Sequence, residues 1–438
     1  MMTYYGLLLF FVLEYVRPST YFPPIGVLRL NTIVPLGVIA LTILNNKKVT
    51  NAEALREPNV RMILFLLGLI VMSVLTADVT LYSYNIFTAV FGYVLMTFVL
   101  TKQLTDVSRM KGVFAMLVLV HVVLALLTPE MFTDPDGRHY LSSGTFLGDG
   151  NDYALSVNVA LPLCIFLLGN SPKTLHKLFW GGSLLLLVLC VIATKSRGGT
   201  IALACVGIYY WTKSTRKALT GATAVVVLAL VLVSAPASWF DRMSTISSHE
   251  DGSSQGRIAA WGASVQMALD HPLLGVGAGH FPVKFGAEYR SPDLAMPWLT
   301  AHSIYFLILG ELGLPGIGIL LGFIISNLVM NRRATKALLE RSSSPPSPEV
   351  ATNVALLACL SASLVAFATG GAFLSAIYYP HIYMLAGMLG AARRIARESP
   401  AVETVPAVAK PLARIQPVRS ARDRKVVDAV PATRTRRA

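Results

Sequence analysis

Apolar runs long enough to enter a bilayer recur along almost the whole chain, and no other feature constrains the fold as tightly. A hydrocarbon core takes about 20 apolar residues per helix, with a range of about 17–25. Twelve stretches approach that requirement: 4–16, 27–44, 62–77, 84–100, 112–128, 152–169, 178–194, 198–212, 218–234, 302–330, 351–368 and 373–392. The first and eighth are short, and the tenth is long and rich in glycine. Composition points the same way, with 54% apolar and 14% charged residues. Soluble proteins carry roughly 25% charged residues, so this chain of 438 residues lacks the polar side chains to cover soluble domains. Disordered, collagenous and disulfide-rich secreted classes are excluded on the same grounds. The expected fold is an all-α integral membrane protein with about twelve transmembrane helices.

The segment Met1 to Val16 lacks a basic leader and an A-x-A cleavage site, so it is expected to be a retained first membrane helix. Cys164, Cys190, Cys205 and Cys359 each lie in apolar runs without C-x-x-C spacing. They read as small buried side chains rather than as zinc ligands or a disulfide framework.

Lysine and arginine orient the chain. Loops 45–61, 101–111, 170–177, 213–217 and 331–349 all fall on one side of a twelve-helix bundle, and each carries at least two basic residues. The segment 393–438 falls on that side too; it is basic and rich in Pro and Ala, and is expected to be a disordered tail. Basic loops mark the cytoplasmic side. Both termini are therefore expected in the cytoplasm, and segments 129–152 and 235–301 outside. Residues 1–234 would then hold nine helices, 235–301 a large outward loop, and 302–392 the last three helices. The net charge of +14 lies largely in the tail, where it suits anionic lipid headgroups and not nucleic acid.

Basic residues on the outward side are the exceptions. Lys195, Ser196, Arg197, Gly198 and Gly199 form the stretch KSRGG before the eighth run, and Arg257 opens GRIAAW in the large loop. Arg197 can snorkel to headgroups, or it can hold an anion, for which its planar fork of donors is suited. The two glycines would let backbone N–H groups approach that anion at a helix start. The stretch 255–269 places Ile258, Trp261, Val265 and Leu269 at helical spacing, which predicts an amphipathic helix on or between the spans. The glycines of HPLLGVGAGHF (271–281) do not match a dinucleotide fingerprint, so a tight turn is expected there.

His302 opens the tenth run, which also carries Glu311 nine residues on. A histidine at such a mouth can be structural, or it can accept a proton from a hydroxyl at neutral pH. Glu311 falls on roughly the opposite helix face and reads as a functional group or part of a polar network. Asp149, Asn151 and Asp152 at the start of the sixth run form either a helix cap or a contact for a sugar or acceptor. The remaining histidines lack metal-ligand spacing, so neither a metal nor another cofactor is expected.

These pieces, in this order, resemble the O-antigen ligase and polymerase superfamily of bacterial membrane glycosyltransferases. The residues that carry the resemblance are S-R-G-G (196–199), Arg257, H-P-L-L-G-V-G (271–277) and H-S-x₆-G-E-x-G (302–313). The opening YYGLLLFFVLEYVRP and the segment GTFLGDGNDYA (144–154) resemble an exosortase-associated branch of O-glycosylation ligases. The resemblance implies a GT-C-like, metal-independent transferase of the bacterial inner membrane, with its site on the periplasmic face. Its donor would be a glycan on undecaprenyl pyrophosphate. Its acceptor would be a lipid A–core sugar, a protein hydroxyl or, in a polymerase of lipopolysaccharide-type repeats, another lipid-linked glycan. Arg197 and Arg257 would meet the pyrophosphate with Lys195 as an auxiliary, and His302 would act as base or orient the acceptor. Ser196, Gly198, Asn151, Asp152 and Glu311 would contact pyrophosphate or glycan. A twelve-helix secondary transporter is the rival, but no symmetric repeat is visible.

Overall fold

The computed structural model describes residues 2–45, 47–133, 146–222, 225, 252–290, 298–342 and 344–399. Among the described residues every regular element is helical. The main helices are α1 (Met2–Tyr15), α2 (Leu30–Leu44), α3 (Pro58–Thr76), α4 (Thr80–Gln103), α5 (Val107–Leu127), α6 (Gly150–Gly169), α7 (Thr174–Ala193) and α8 (Arg197–Lys213). They are followed by α9 (Gly252–Asp270), α10 (Ile304–Glu340), α11 (Pro348–Gly371) and α12 (Pro380–Glu398). Among the described residues, eight helices are long and apolar enough to cross a membrane: α2 with its lead-in from Pro23, α3 to α7, α10 and α11. The chain is a multi-pass membrane protein.

The twelve expected spans are met in part. At 1.5 Å per residue, α1 and α8 reach about 21 and 26 Å, short of a hydrocarbon core of about 30 Å. The ninth run, 218–234, lies largely outside the described residues, as do segments 134–145, 235–251 and 291–297 of the expected outward loops and the tail beyond 399. The twelfth run begins later than expected. Residues 372–379 form turns, and α12 starts only at Pro380 and continues to Glu398. Proline is favoured at the first helical position, and the residue before it is held extended, as Tyr379 is (φ −90°, ψ 159°).

The tenth run also differs from a single span. The 37 residues of α10 would extend about 55 Å, far beyond a bilayer core. The helix is broken at Gly313, whose φ of 64° and ψ of −160° are not helical. The upper arm, Ile304–Leu312, and the lower arm, Leu314–Glu340, are therefore two helices in sequence.

Short connections pack the neighbours antiparallel. We call the end where α6, α8, α10 and α12 begin the head, and the other end the base. The interior is built on α6 and α12, almost all of whose side chains are buried. Small residues permit close packing there: a side chain at Gly387 would meet Leu100, and one at Gly370 would meet Leu155. Because other helices screen it from lipid, α12 tolerates histidine and arginine that a lipid-facing helix could not.

At the base, Arg393 of α12 is buried and satisfied. It donates to Glu57 at 3.1 Å, to Asn327 at 2.6 Å and to Asn331 at 3.2 Å. Asn59 and Asn327 exchange amide hydrogen bonds of 3.0 Å in both directions, so α3, α10 and α12 share one network. Glu57 also caps α3 through the amides of Asn59 and Val60. Removing one member of such a group leaves the others charged or unpaired in low dielectric, at a cost of about 3–5 kcal/mol. Arg393→Met should therefore lower the thermal midpoint of the detergent-solubilised protein sharply. Arg393→Met with Glu57→Gln should recover part of that loss.

Candidate active site

Several helix N-termini meet at the head around the turn segment 372–379. Ser196 caps α8 by accepting from Gly199 N at 3.1 Å, after Lys195 takes the left-handed conformation with φ 52°. A side chain at Gly198 would lie 2.8 Å from Phe373, and one at Gly199 would lie 2.7 Å from Ala154. These two glycines thus have a packing reason: they let the start of α8 sit against α6 and the turn segment. Asn158 of α6 ties the same corner by donating to Gly199 O at 3.0 Å.

Asp149 caps α6, accepting from the Asn151 amide at 2.7 Å and from its side chain at 2.9 Å. Asp152, one turn in, lies near the Tyr379 hydroxyl. The capping and recognition readings of this trio therefore divide by residue. Asp149 and Asn151 make the cap, and Asp152 faces the segment before α12.

His302 occupies the last position before the cap of α10, in the left-handed region with φ 46°. Its neighbours fix that segment. Trp261 of α9 donates to Ala301 O at 2.9 Å and stacks on Phe306 at 5.0 Å. Thr300 and Ser375 hydroxyls are 2.8 Å apart, and a side chain at Gly371 would strike Ile304. Arg257 lies on the α9 turn between Gly256, whose Cα faces Leu299, and Trp261. Segment 371–379 thus abuts the starts of α6, α8 and α10, and α9 abuts the start of α10. The elements bearing Arg197, Lys195, Asp152, His302 and Arg257 all belong to this one cluster.

Glu311 lies deeper, with 1% of its surface exposed. Its carboxylate accepts from Phe281 N at 3.0 Å and from the Tyr378 hydroxyl at 2.7 Å. It therefore ties α10 to the loop after α9 and to the turn segment.

That loop, 271–281, is more than a turn. Proline has no N–H, so Pro315 leaves the Glu311 carbonyl without its i+4 donor. The break at Gly313 turns the Leu314 N–H away from the Gly310 carbonyl. The loop replaces both: Val276 N donates to Gly310 O at 2.9 Å and Gly277 N to Glu311 O at 3.0 Å. Leu314 N in return donates to Pro272 O at 2.9 Å. Gly275 (φ 61°) can approach this closely because it has no side chain; a Cβ there would overlap the Gly310 and Glu311 carbonyls. His280 then anchors the loop to the α3–α4 connection, its Nε2 accepting from Val79 N at 3.2 Å. Lys284 pairs with Asp78 at 2.7 Å and Glu288 at 2.6 Å. The Lys284 ammonium, bonded to Asp78, holds that carboxyl below its usual range, and the two carboxylates raise Lys284.

Sequence reasoning missed Thr300, Ser375, Tyr378 and Tyr379. The available signal was Pro380, which marks a helix start and takes the preceding residues out of the last apolar run. Among the described residues, no three His, Cys, Asp or Glu side chains cluster as metal ligands.

Helix starts, the break in α10 and the elements carrying Lys195, Arg197 and Arg257 thus share the head end of a multi-pass membrane protein. Residues 182–321, from α7 into the lower arm of α10, match the O-antigen ligase family (Wzy_C), so the chain carries the domain of that enzyme family. No curated protein matches the chain. The matched region includes Lys195, Ser196, Arg197, Gly198, Arg257, His302 and Glu311, and excludes Asn151, Asp152 and the turn segment.

Gly275→Ala should cost about 1–3 kcal/mol or more, since it strains the backbone and breaks the clasp on α10. Thermal unfolding should show it, whereas Leu273→Ala, at an exposed position, should change the midpoint little. The Lys284 tie should also respond to pH. Asp78 contributes fully above its ordinary value of about 3.9, and that contribution is lost as pH falls through the depressed folded value. Lys284 contributes fully below about 10.4, with loss as pH rises through the raised folded value. Lys284→Met should flatten both flanks of the stability–pH curve.

Proposed function

We propose that the protein transfers a glycan from undecaprenyl pyrophosphate to an acceptor hydroxyl, without a metal and with inversion at the anomeric carbon. The observation that supports this reading is that the starts of α8 and α10, bearing Arg197 and His302, abut the same turn segment, that α9 with Arg257 abuts the start of α10, and that all three residues lie in the stretch that matches the O-antigen ligase family.

The acceptor oxygen attacks the anomeric carbon as the bond to pyrophosphate breaks. The acceptor proton passes to His302, and the leaving undecaprenyl pyrophosphate takes up the electron pair. Arg197 and Arg257 stabilise the charge gathering on the leaving group, with Lys195 beside them. The N-terminus of α8 adds its amide dipoles to the same charge. Asp152, with Tyr379 near it, would meet hydroxyl groups of glycan or acceptor. Glu311 supports the site from beneath, holding the upper arm of α10 to its neighbours.

The basic base-end loops favour a cytoplasmic base and a periplasmic head. In this reading α1, α8, α12 and the run 218–234 complete about twelve passes of a GT-C-like fold in the bacterial inner membrane. A lipid A–core sugar or a protein hydroxyl is the acceptor.

Purified protein given a lipid-pyrophosphate glycan and candidate acceptors should transfer sugar with chelator present. His302→Ala should lower turnover by about 10²–10⁴-fold, and Arg257→Ala by about 10²–10³-fold, with the fold retained. Full activity in both variants would overturn the mechanism, and loss of transfer on chelation would overturn its metal independence. Mass analysis of the glycosylated product identifies the acceptor. A product that is itself a longer lipid-linked glycan would make the protein a polymerase.

A further inference from the structure

Helix α9 packs against α10 with an unexpected face. Its buried positions are Gly256, Ala260, Ala263, Ser264, Met267 and Ala268. Small side chains there allow close contact, and Met267 reaches the backbone of Gly310. Of the apolar stripe read from the sequence, only Trp261 turns inward. Ile258 is 66% exposed, Val265 43% and Leu269 69%.

At 100° per residue, Ile258, Gly262, Val265 and Leu269 fall within about 60° of one another. Gln266 lies to one side of them and is exposed. The stripe does not end with the helix. Leu273, 71% exposed, follows Leu269 by four residues. Pro272 O accepts from Leu314 N, which sets Leu273 beside the start of the lower arm of α10. From there the exposed row Leu314, Leu321, Ile325 and Val329 runs down a helix apolar enough to cross the membrane. One apolar band therefore passes without interruption from the bilayer-facing side of α10 onto α9.

We propose that α9 is an interfacial helix whose Ile258–Val265–Leu269–Leu273 face lies among the acyl chains of the leaflet at the head end. The continuity of this face with the lipid-facing row of α10 selects lipid as its occupant. Such a face binds in proportion to its buried apolar area, with polar residues left at the headgroups. The proposal does not depend on the reaction assigned above. It fixes Arg257, one residue before Ile258, at headgroup depth.

Nitroxide labels test it in the full chain, reconstituted in phosphatidylcholine–phosphatidylglycerol vesicles after replacement of the four native cysteines. Labels at Val265→Cys and Leu269→Cys should be open to oxygen and shielded from a water-soluble nickel chelate. Their oxygen-to-nickel ratio should be several-fold above that of Gln266→Cys, about 100° away from Val265 around the helix. Equal ratios at all three positions would overturn the proposal, as would dipolar broadening between labels on two copies of the chain. Should the cysteine-free protein fail to fold, Leu269→Trp in the native background serves instead. Its added fluorescence should be quenched by phospholipids brominated on the acyl chain, and the absence of added quenching would overturn the proposal.

Discussion

A proline in a membrane helix leaves a carbonyl that some other donor must satisfy. Pro315 gives the Glu311 carbonyl no partner, and the turn at Gly313 leaves Gly310 in the same condition. Away from water such groups cost several kcal/mol each. The loop 272–277 supplies donors to both and takes the Leu314 amide in exchange. The position of α9, the tilt available to the upper arm of α10 and the seating of Glu311 all depend on this exchange. His302 stands at the end of that upper arm, whose far end this exchange anchors.

The two ends of the bundle handle buried polarity differently. At the base, Arg393, Glu57 and three asparagines form a closed group in which charges and amides answer one another. It serves as a fixed foundation for α3, α10 and α12. At the head, polar groups are strung along several helix starts and the 372–379 turns, and part of that surface is open. A rigid base beneath an accessible head is the division of labour expected when function sits on segments held by a firm scaffold.

Much of this was legible in the sequence because bilayer solvation imposes a length rule on apolar runs. The runs at 62–77, 84–100 and 112–128 correspond to α3, α4 and α5 with shifts of a few residues. The errors have local causes. Hydropathy cannot separate the apolar turns 372–379 from the helix that follows, although Pro380 marks the boundary. It cannot see that Gly313 and Pro315 divide α10, since both arms are apolar. Nor could periodicity tell which face of α9 is buried, because the partner helix selects small residues and leaves the larger ones outside. The candidate residues at helix starts, Ser196 and His302 among them, were visible as breaks in apolar runs. The partners that hold these starts, Phe373, Trp261 and Ser375, come from distant segments that no local pattern connects.

The clasp on α10 is made of main-chain atoms alone. It requires particular torsion angles and a missing amide proton, which glycine and proline supply, and it asks nothing of the side chains between them. Leu273, Leu274 and Val276 can be exchanged among residues of similar polarity without disturbing the exchange of hydrogen bonds. The frame of α10 is thereby insulated from the side chains displayed around it, which can change while the frame stays constant.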